Sequence, residues 1–332
     1  VIDLIYVEEG LERHPRAQAI GRRFPGATWV PCARYTEVFN PKAQNFRLQK
    51  RRPALILARK HEGLVLEAPA GYGLGGGENY YFSHMLNCLY DCRYCFLQGM
   101  YRSAHYVLFV NFETFEQAMD DALVRAGGRE LWFFSGYDCD SLALEPVSGF
   151  AAHFLAFFAS RAQARLELRT KSTQVRVLLE REPLDNVVVA FSFTPEPVSR
   201  ALEHRVPPVA KRIAAMARLQ RSGWRVGVRL DPLIYTPDYR DAYQRLLADV
   251  FGALDLEALH SVSLGGFRLP RPYYKTIQRL YPEEPLFAGP LALCEGMVSY
   301  VSELEQELSR FCTRELLRYI PQERLFPCSE AA

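Results

Sequence analysis

The chain predicts a partial (β/α)6 TIM-like barrel with an N-terminal cap and a C-terminal helix. Two observations predict it. From residue 80 onward, six short runs rich in β-branched and aromatic residues recur, and each is followed by a segment with apolar residues at helical spacing. These units take up roughly 200 residues, fewer than the about 250 of a complete eight-stranded barrel.

The elements follow in order. Residues 1–79 stand outside the period, with strand-like pieces at 2–7, 55–58 and 64–66, and are expected to cap the barrel. The strands are expected at 80–85, 130–135, 165–169, 186–192, 225–230 and 261–264, and the helices at 112–125, 147–160, 173–181, 208–222, 238–251 and 272–280. The segment PPVAKRIAAMARLQRSG opens on proline and closes on glycine, as a helix does. The barrel is thus expected over 80–282 and a C-terminal extension over 283–332, with one surface helix at 298–317. GYGLGGGENYY (71–81) precedes a strand and lacks the Lys and Ser/Thr of a phosphate loop, so a flexible entry loop is expected there.

Composition narrows the function. Apolar residues at 49% and charged residues at 23% describe ordinary globular material. Forty basic against 38 acidic residues leave a formal charge of +2, so any nucleic-acid footprint must be local. No apolar run approaches the ~18 residues of a membrane helix. The opening VIDLIYVEEGLER is acidic where a secretory leader needs an apolar region. No membrane contact and a cytoplasmic location are expected, and Val1 in place of Met leads us to expect a few residues before it.

The eight cysteines are the unusual feature, because three of them cluster. Cys88, Cys92 and Cys95 form C-x3-C-x2-C, with Tyr94 before the third. Three thiolates on one short loop can converge on one metal centre and leave a coordination position open for a ligand. A structural zinc site is the alternative, with His84 as the nearby fourth ligand, although zinc sites usually split their cysteines into two separated halves. A redox pair at Cys92 and Cys95 leaves Cys88 unexplained. Cys32, Cys294, Cys312 and Cys328 are expected to be structural thiols.

Strand ends supply a candidate pocket, since barrel chemistry sits at the C-terminal ends of strands. The second strand ends in SGYDCD, where the small residues Ser135 and Gly136 permit close approach of a ligand, and Asp138 and Asp140 can meet a cation or a ribose. The third ends at Lys171, the fourth at Ser192 and the fifth at Asp231. Taken singly, each also fits a helix cap or a solvated turn.

The cysteine spacing, with its aromatic residue, resembles the radical S-adenosylmethionine (SAM) superfamily. The order of the pieces CLYDCRYCFLQGMYRSAHYVLFVNFE, SGYDCDSLALE, LRTKSTQVRVLLE, FSFTPEPV, KRIAAMARLQRSGWRVGVRLDPLIY and FRLPRPYYKTIQRLYP resembles the spore photoproduct lyase family within it. The likeness runs over 80–282, with a weaker echo, LIYVEEG, near the start. It implies a barrel of the radical SAM type, a [4Fe-4S] cluster on Cys88, Cys92 and Cys95, and SAM bound beside it. It also implies reversal of a methyl-bridged thymine pair in DNA through a 5′-deoxyadenosyl radical. Ser192 and Lys171 fall on the family's SAM-contacting positions, and Tyr94, Ser135, Gly136, Asp140 and Asp231 are further candidates for SAM contact.

Three departures accompany the likeness. Tyr137 stands where the family's hydrogen-donating cysteine lies, and Cys139 follows two residues later, so both are candidate catalytic residues. Phe96 replaces the tyrosine after the third cluster cysteine. PLALCEGMVSYVSELEQE stands where the family has a basic, aromatic-rich stretch. Local basic groups occur at 47–60, at Arg200, Arg205, Lys211 and Arg212, and at Arg268, Arg271 and Lys275 beside Tyr273 and Tyr274.

Three functions therefore compete. The first is lesion reversal on a DNA substrate, fed electrons by a small reductant such as a flavodoxin or ferredoxin. The second is radical SAM chemistry on a peptide, a tRNA base or a metabolite. The third is a non-catalytic zinc or iron–sulfur scaffold.

Overall fold

All six β-branched and aromatic runs become strands of one sheet: β1 (Glu78–Phe82), β2 (Leu131–Ser135), β3 (Ala164–Thr170), β4 (Val187–Ser192), β5 (Arg225–Leu233) and β6 (Leu259–Gly266). The computed structural model describes residues 2–69, 71, 73, 74 and 77–328. The six strands pair in parallel in chain order and curl into a partial barrel. A seventh parallel strand, β7 (Leu325–Pro327), joins β6, and Leu66–Glu67 adds to β1 antiparallel at the other edge. Three residues ending in proline are too few to show a strand period, which is why β7 went unforeseen. The expected entry loop lies partly outside the described residues, at Tyr72, Gly75 and Gly76.

Helices α1 (Phe112–Ala126), α2 (Phe150–Ala159), α3 (Arg176–Leu179), α4 (Val209–Arg221), α5 (Tyr239–Gly252) and α6 (Arg271–Leu280) follow the strands in order. The helix expected at 147–160 is cut at Gly149, where φ is +61°, leaving Glu145–Ser148 as a separate turn. The surface helix expected at 298–317 is also corrected. Its first residues form the strand Met297–Tyr300, which pairs antiparallel with Leu291–Cys294 and with Arg268–Pro270, and the helix runs only from Ser302 to Leu316. Gly296, at φ +83°, makes the hairpin turn that directs this segment into a strand.

The N-terminal segment builds a second sheet. Leu4–Glu8, Thr28–Cys32 and Leu55–Ala58 pair in parallel, and the sheet continues into Tyr106–Phe109 and then Met85–Leu86. The last two strands flank the cysteine loop, so the N-terminal segment and the loop share one framework.

Strand alternation sorts the barrel residues. Phe133, Leu166, Leu168, Val189, Phe191 and Val228 join the main core, while the alternate residues turn to the concave face. There Glu167 meets Arg229 at 2.7 Å, with both side chains fully buried, and Arg229 also donates to Ser261 Oγ at 3.0 Å. Arg169 Nε donates to the other oxygen of Glu167 at 3.1 Å. Burial works against the Glu167 charge, but Arg229 and then Arg169 outweigh it and hold its carboxyl at about 2, below its ordinary 4.5.

A carboxyl held below its unfolded value stabilises the fold above that value. Its contribution should therefore be lost as pH falls from 4.5 toward 2. Arg229→Met leaves Glu167 short of its main partner and should cost about 3–5 kcal/mol in denaturant unfolding at neutral pH, whereas the Glu167→Leu/Arg229→Met double variant should recover most of that loss.

Candidate active site

The cysteine loop has little regular structure, and its neighbours hold its shape. Asn87, in the left-handed region at φ +66°, donates its side-chain amide to the carbonyls of Ser103 and His105 at 2.8 and 2.7 Å, closing the two ends of the loop. In mid-loop, Asp91–Cys92 pairs antiparallel with Glu203–His204, and the Arg93 amide donates to the Leu202 carbonyl at 2.9 Å. All three loop cysteines are free thiols. The Tyr90 amide donates to Cys88 Sγ at 3.4 Å. Burial pushes the Cys88 thiol up to about 12, and burial likewise raises Cys92 and Cys95. Desolvated thiols of this kind ionise when a cation binds them. An amide-to-sulfur bond together with three free cysteines on one cavity wall forms a donor set that fits an iron–sulfur cluster.

The zinc alternative loses its fourth ligand. His84 stacks on Phe150 with centroids 3.7 Å apart and planes 7° apart, and its Nδ1 lies 3.9 Å from Cys139 Sγ, away from the loop. Among the described residues, no three His, Cys, Asp or Glu side chains gather as ligands of a single metal ion.

A cavity of about 350 Å³ opens beside the loop at the C-terminal ends of the strands, a volume suited to a small-molecule cofactor. Its wall includes Cys88, Cys92, Cys95 and Tyr94 from the loop, and Lys171, Ser192 and Asp231 from the ends of β3, β4 and β5. Beyond β2 it takes in Gly136, Tyr137, Cys139 and Asp140. Gly136 sits at φ +88°, and a Cβ there would come within 2.7 Å of Ser141 Oγ.

Two of the expected ligand contacts have side chains already engaged within the protein. Ser135 does not line this cavity. Its hydroxyl bonds Ser141 Oγ at 2.7 Å and the Glu167 carbonyl at 3.0 Å. Asp140 reaches the wall, but its oxygens are already engaged. They accept from the amides of Leu142, Ala143 and Lys171 and from Thr170 Oγ1, all at 2.6–3.0 Å, which makes the residue a knot between the ends of β2 and β3. Asp138 accepts from the Tyr101 hydroxyl at 2.9 Å.

Tyr137 stands at the cavity wall between two rings, with centroid distances of 4.5 Å to Tyr81 and 5.4 Å to Phe96. Cys139 is buried, and burial raises its thiol well above the usual range. Both candidate hydrogen donors thus reach one cavity, Tyr137 half-exposed and Cys139 enclosed.

The basic groups come apart on inspection. Arg212, read from sequence as part of a surface group, is fully buried against Glu203 at 2.7 Å. In the run at 47–60, Lys50 is turned inward, 3.8 Å from Asp91. Arg268 and Tyr273 line the cavity, while Arg271 and Lys275 are exposed nearby on α6. Sequence reading missed Glu203, whose setting ALEHR carries no motif, and Arg169, which lies 3.8 Å from Asp231 at the cavity wall.

Comparison with known proteins gives this geometry its context. The family model described as spore photoproduct lyase matches residues 77–288, well over half of the chain. The chain belongs to the spore photoproduct lyase family. Spore photoproduct lyase of Bacillus subtilis is 22% identical over 86% of this chain and 84% of its own length. That of Clostridium acetobutylicum is 25% identical over 54% of each. Among solved structures, a spore photoproduct lyase mutant with bound AdoMet and dinucleoside spore photoproduct superposes with a TM-score of 0.86 at 16% identity, covering 100% of this chain and 99% of that one. Another, complexed with dinucleoside spore photoproduct, gives 0.84 at 17% identity over 99% of this chain and 98% of its own. These likenesses establish the radical SAM barrel fold. Tyr137 and Phe96, the departures expected from the sequence, both line the cavity. Among the described residues no helix is long and apolar enough to cross a membrane.

If the loop thiols hold the cluster, Cys88→Ala should leave the anaerobically reconstituted protein without its stoichiometric iron and sulfide and without its brown absorption. A full cluster in that variant would mean that the ligands are misassigned.

Proposed function

We propose that the chain is a radical SAM lyase that reverses a methyl-bridged thymine pair in DNA, closing the reaction with a hydrogen atom from its own cavity wall. One observation carries this reading: the cysteine triad, the strand-end residues Lys171 and Ser192, and the hydrogen-bearing residues Tyr137 and Cys139 all line one cavity. Cys88, Cys92 and Cys95 would hold a [4Fe-4S] cluster, and Tyr94, Gly136, Lys171, Ser192 and Asp231 would surround SAM, with Asp140 shaping the wall. Bound together and reduced, the cluster and SAM would supply the radical chemistry that removes a hydrogen atom from the substrate.

The chain's own residues do the rest. The Lys171 ammonium offers a positive charge to a ligand carboxylate, and the Ser192 hydroxyl offers a hydrogen bond. The apolar enclosure formed by Tyr94, Phe96, Leu97 and Met100 limits water near a radical. When the bridging bond has broken, Tyr137 or Cys139 gives up one hydrogen atom, from oxygen or sulfur, and the product radical gains it. Phe96 has no such hydrogen. Arg268 and Tyr273 at the cavity wall, with Arg271 and Lys275 beside them, offer charge and a stacking face to a DNA strand. Electrons would come from a small protein such as a flavodoxin or ferredoxin.

A second reading keeps the radical chemistry and changes the substrate to a peptide, a tRNA base or a metabolite. It draws on the hairpin Leu291–Cys294/Met297–Tyr300, which carries no basic residue where the family's basic stretch lies.

Incubating the reconstituted, reduced protein with SAM and a dinucleotide lesion, with mass spectrometry as the readout, should give SAM cleavage and free thymine dinucleotide. SAM cleavage with an untouched lesion would favour the second reading. Of Tyr137→Phe and Cys139→Ala, the variant lacking the donor should keep SAM cleavage but lose thymine recovery by more than about tenfold. Unchanged recovery in both would remove the role from each.

A further inference from the structure

Glu203 lies just outside the cavity, yet the cavity wall converges on it. It is fully buried, and Arg212, also fully buried, binds one of its oxygens at 2.7 Å. Ser199 Oγ donates to that same oxygen at 2.7 Å. The other oxygen accepts the Tyr94 hydroxyl and lies 4.0 Å from Lys171 Nζ. Arg212 extends the hub by donating to the Ser192 carbonyl at 2.9 Å. The backbone of Glu203 pairs directly with Cys92. Through its backbone, its carboxylate and Arg212, Glu203 therefore reaches Cys92, Tyr94, Lys171 and Ser192, and all four line the cavity.

A buried ion pair is a weak source of stability, because desolvation cancels much of its attraction and an apolar pair can replace it. Fixing geometry is what an apolar pair cannot reproduce. Lys171, at 4.0 Å, is near enough to Glu203 to be aimed, and its ammonium keeps donors for a ligand.

We propose that Glu203, with Arg212, is a positioning residue that sets Tyr94, Lys171 and Ser192 in register with the cysteine loop so that SAM binds next to the cluster. This rests on the functional reading above. The test uses the full chain, reconstituted and reduced, titrated with SAM while the paramagnetic resonance signal of the cluster is followed. Glu203→Gln and the uncharged pair Glu203→Leu/Arg212→Met should both keep wild-type iron content. Both should need about 10–100-fold more SAM to perturb the signal, a loss typical of residues that orient ligand-bearing groups. The double variant guards against misfolding, since it removes both members of the buried Glu203–Arg212 pair together.

Wild-type SAM affinity in the double variant would overturn the proposal and make the pair a staple only. Loss of the cluster from both variants would overturn it too, because Glu203 would then support the loop alone. A wild-type protein whose cluster signal ignores SAM would overturn the functional reading beneath, and this proposal with it.

Discussion

The cysteine loop depends on a bridge of two residues. Between Met85–Leu86 and Tyr106–Phe109 the chain has only the two-residue strand Asp91–Cys92 and the single helical turn Leu97–Met100, so the loop relies on its neighbours to hold the three thiols. The pairing of Asp91–Cys92 with Glu203–His204 supplies that constraint from the far side of β4. The same Glu203 carboxylate then reaches Tyr94, and through Arg212 reaches Ser192. Loop and barrel are thereby locked in one frame.

Charge is arranged in a corresponding way. The whole molecule carries a formal +2, yet its concave face buries Glu167 with Arg229, and its flank buries Glu203 with Arg212. Each carboxylate is neutralised on the spot, so the barrel holds ions where apolar layers would ordinarily fill it. Arg169 links the first pair to the cavity through Asp231, and Lys171 links the second through Tyr94. Both charged knots end at the wall where a charged ligand has to sit.

The six strands were legible because Val, Ile, Leu and Phe repeat in runs that only a two-sided buried sheet accommodates, as in VVVAFS at β4. The cysteine triad was legible because its spacing is local. What the sequence concealed was orientation and distance. Ser135 and Gly136 are neighbours in sequence, yet only Gly136 lines the cavity, and the Ser135 hydroxyl is taken up by Ser141 and the Glu167 carbonyl. Arg212 looked solvated beside Lys211 because nothing local reveals a carboxylate nine residues away. The helix expected at 298–317 failed at Gly296 and Met297–Tyr300, where hairpin pairing with Leu291–Cys294 prevails over helical spacing.

The proposed chemistry turns on Tyr137 and its neighbours Phe96 and Cys139 at the cavity wall. Tyr137 packs between Tyr81 and Phe96, and Cys139 lies two residues farther along the same turn, so the proposal offers two chain-borne sources for the last hydrogen. Protons on phenol oxygen and thiol sulfur exchange with solvent, whereas carbon-bound hydrogens of SAM do not. The most direct test is therefore to run the reaction in deuterium oxide and read the repaired thymine dinucleotide by mass spectrometry. Return of hydrogen from the cavity wall predicts one deuterium in the restored methyl group. An unlabelled product would mean that no exchangeable side chain closes the reaction, and would contradict the account.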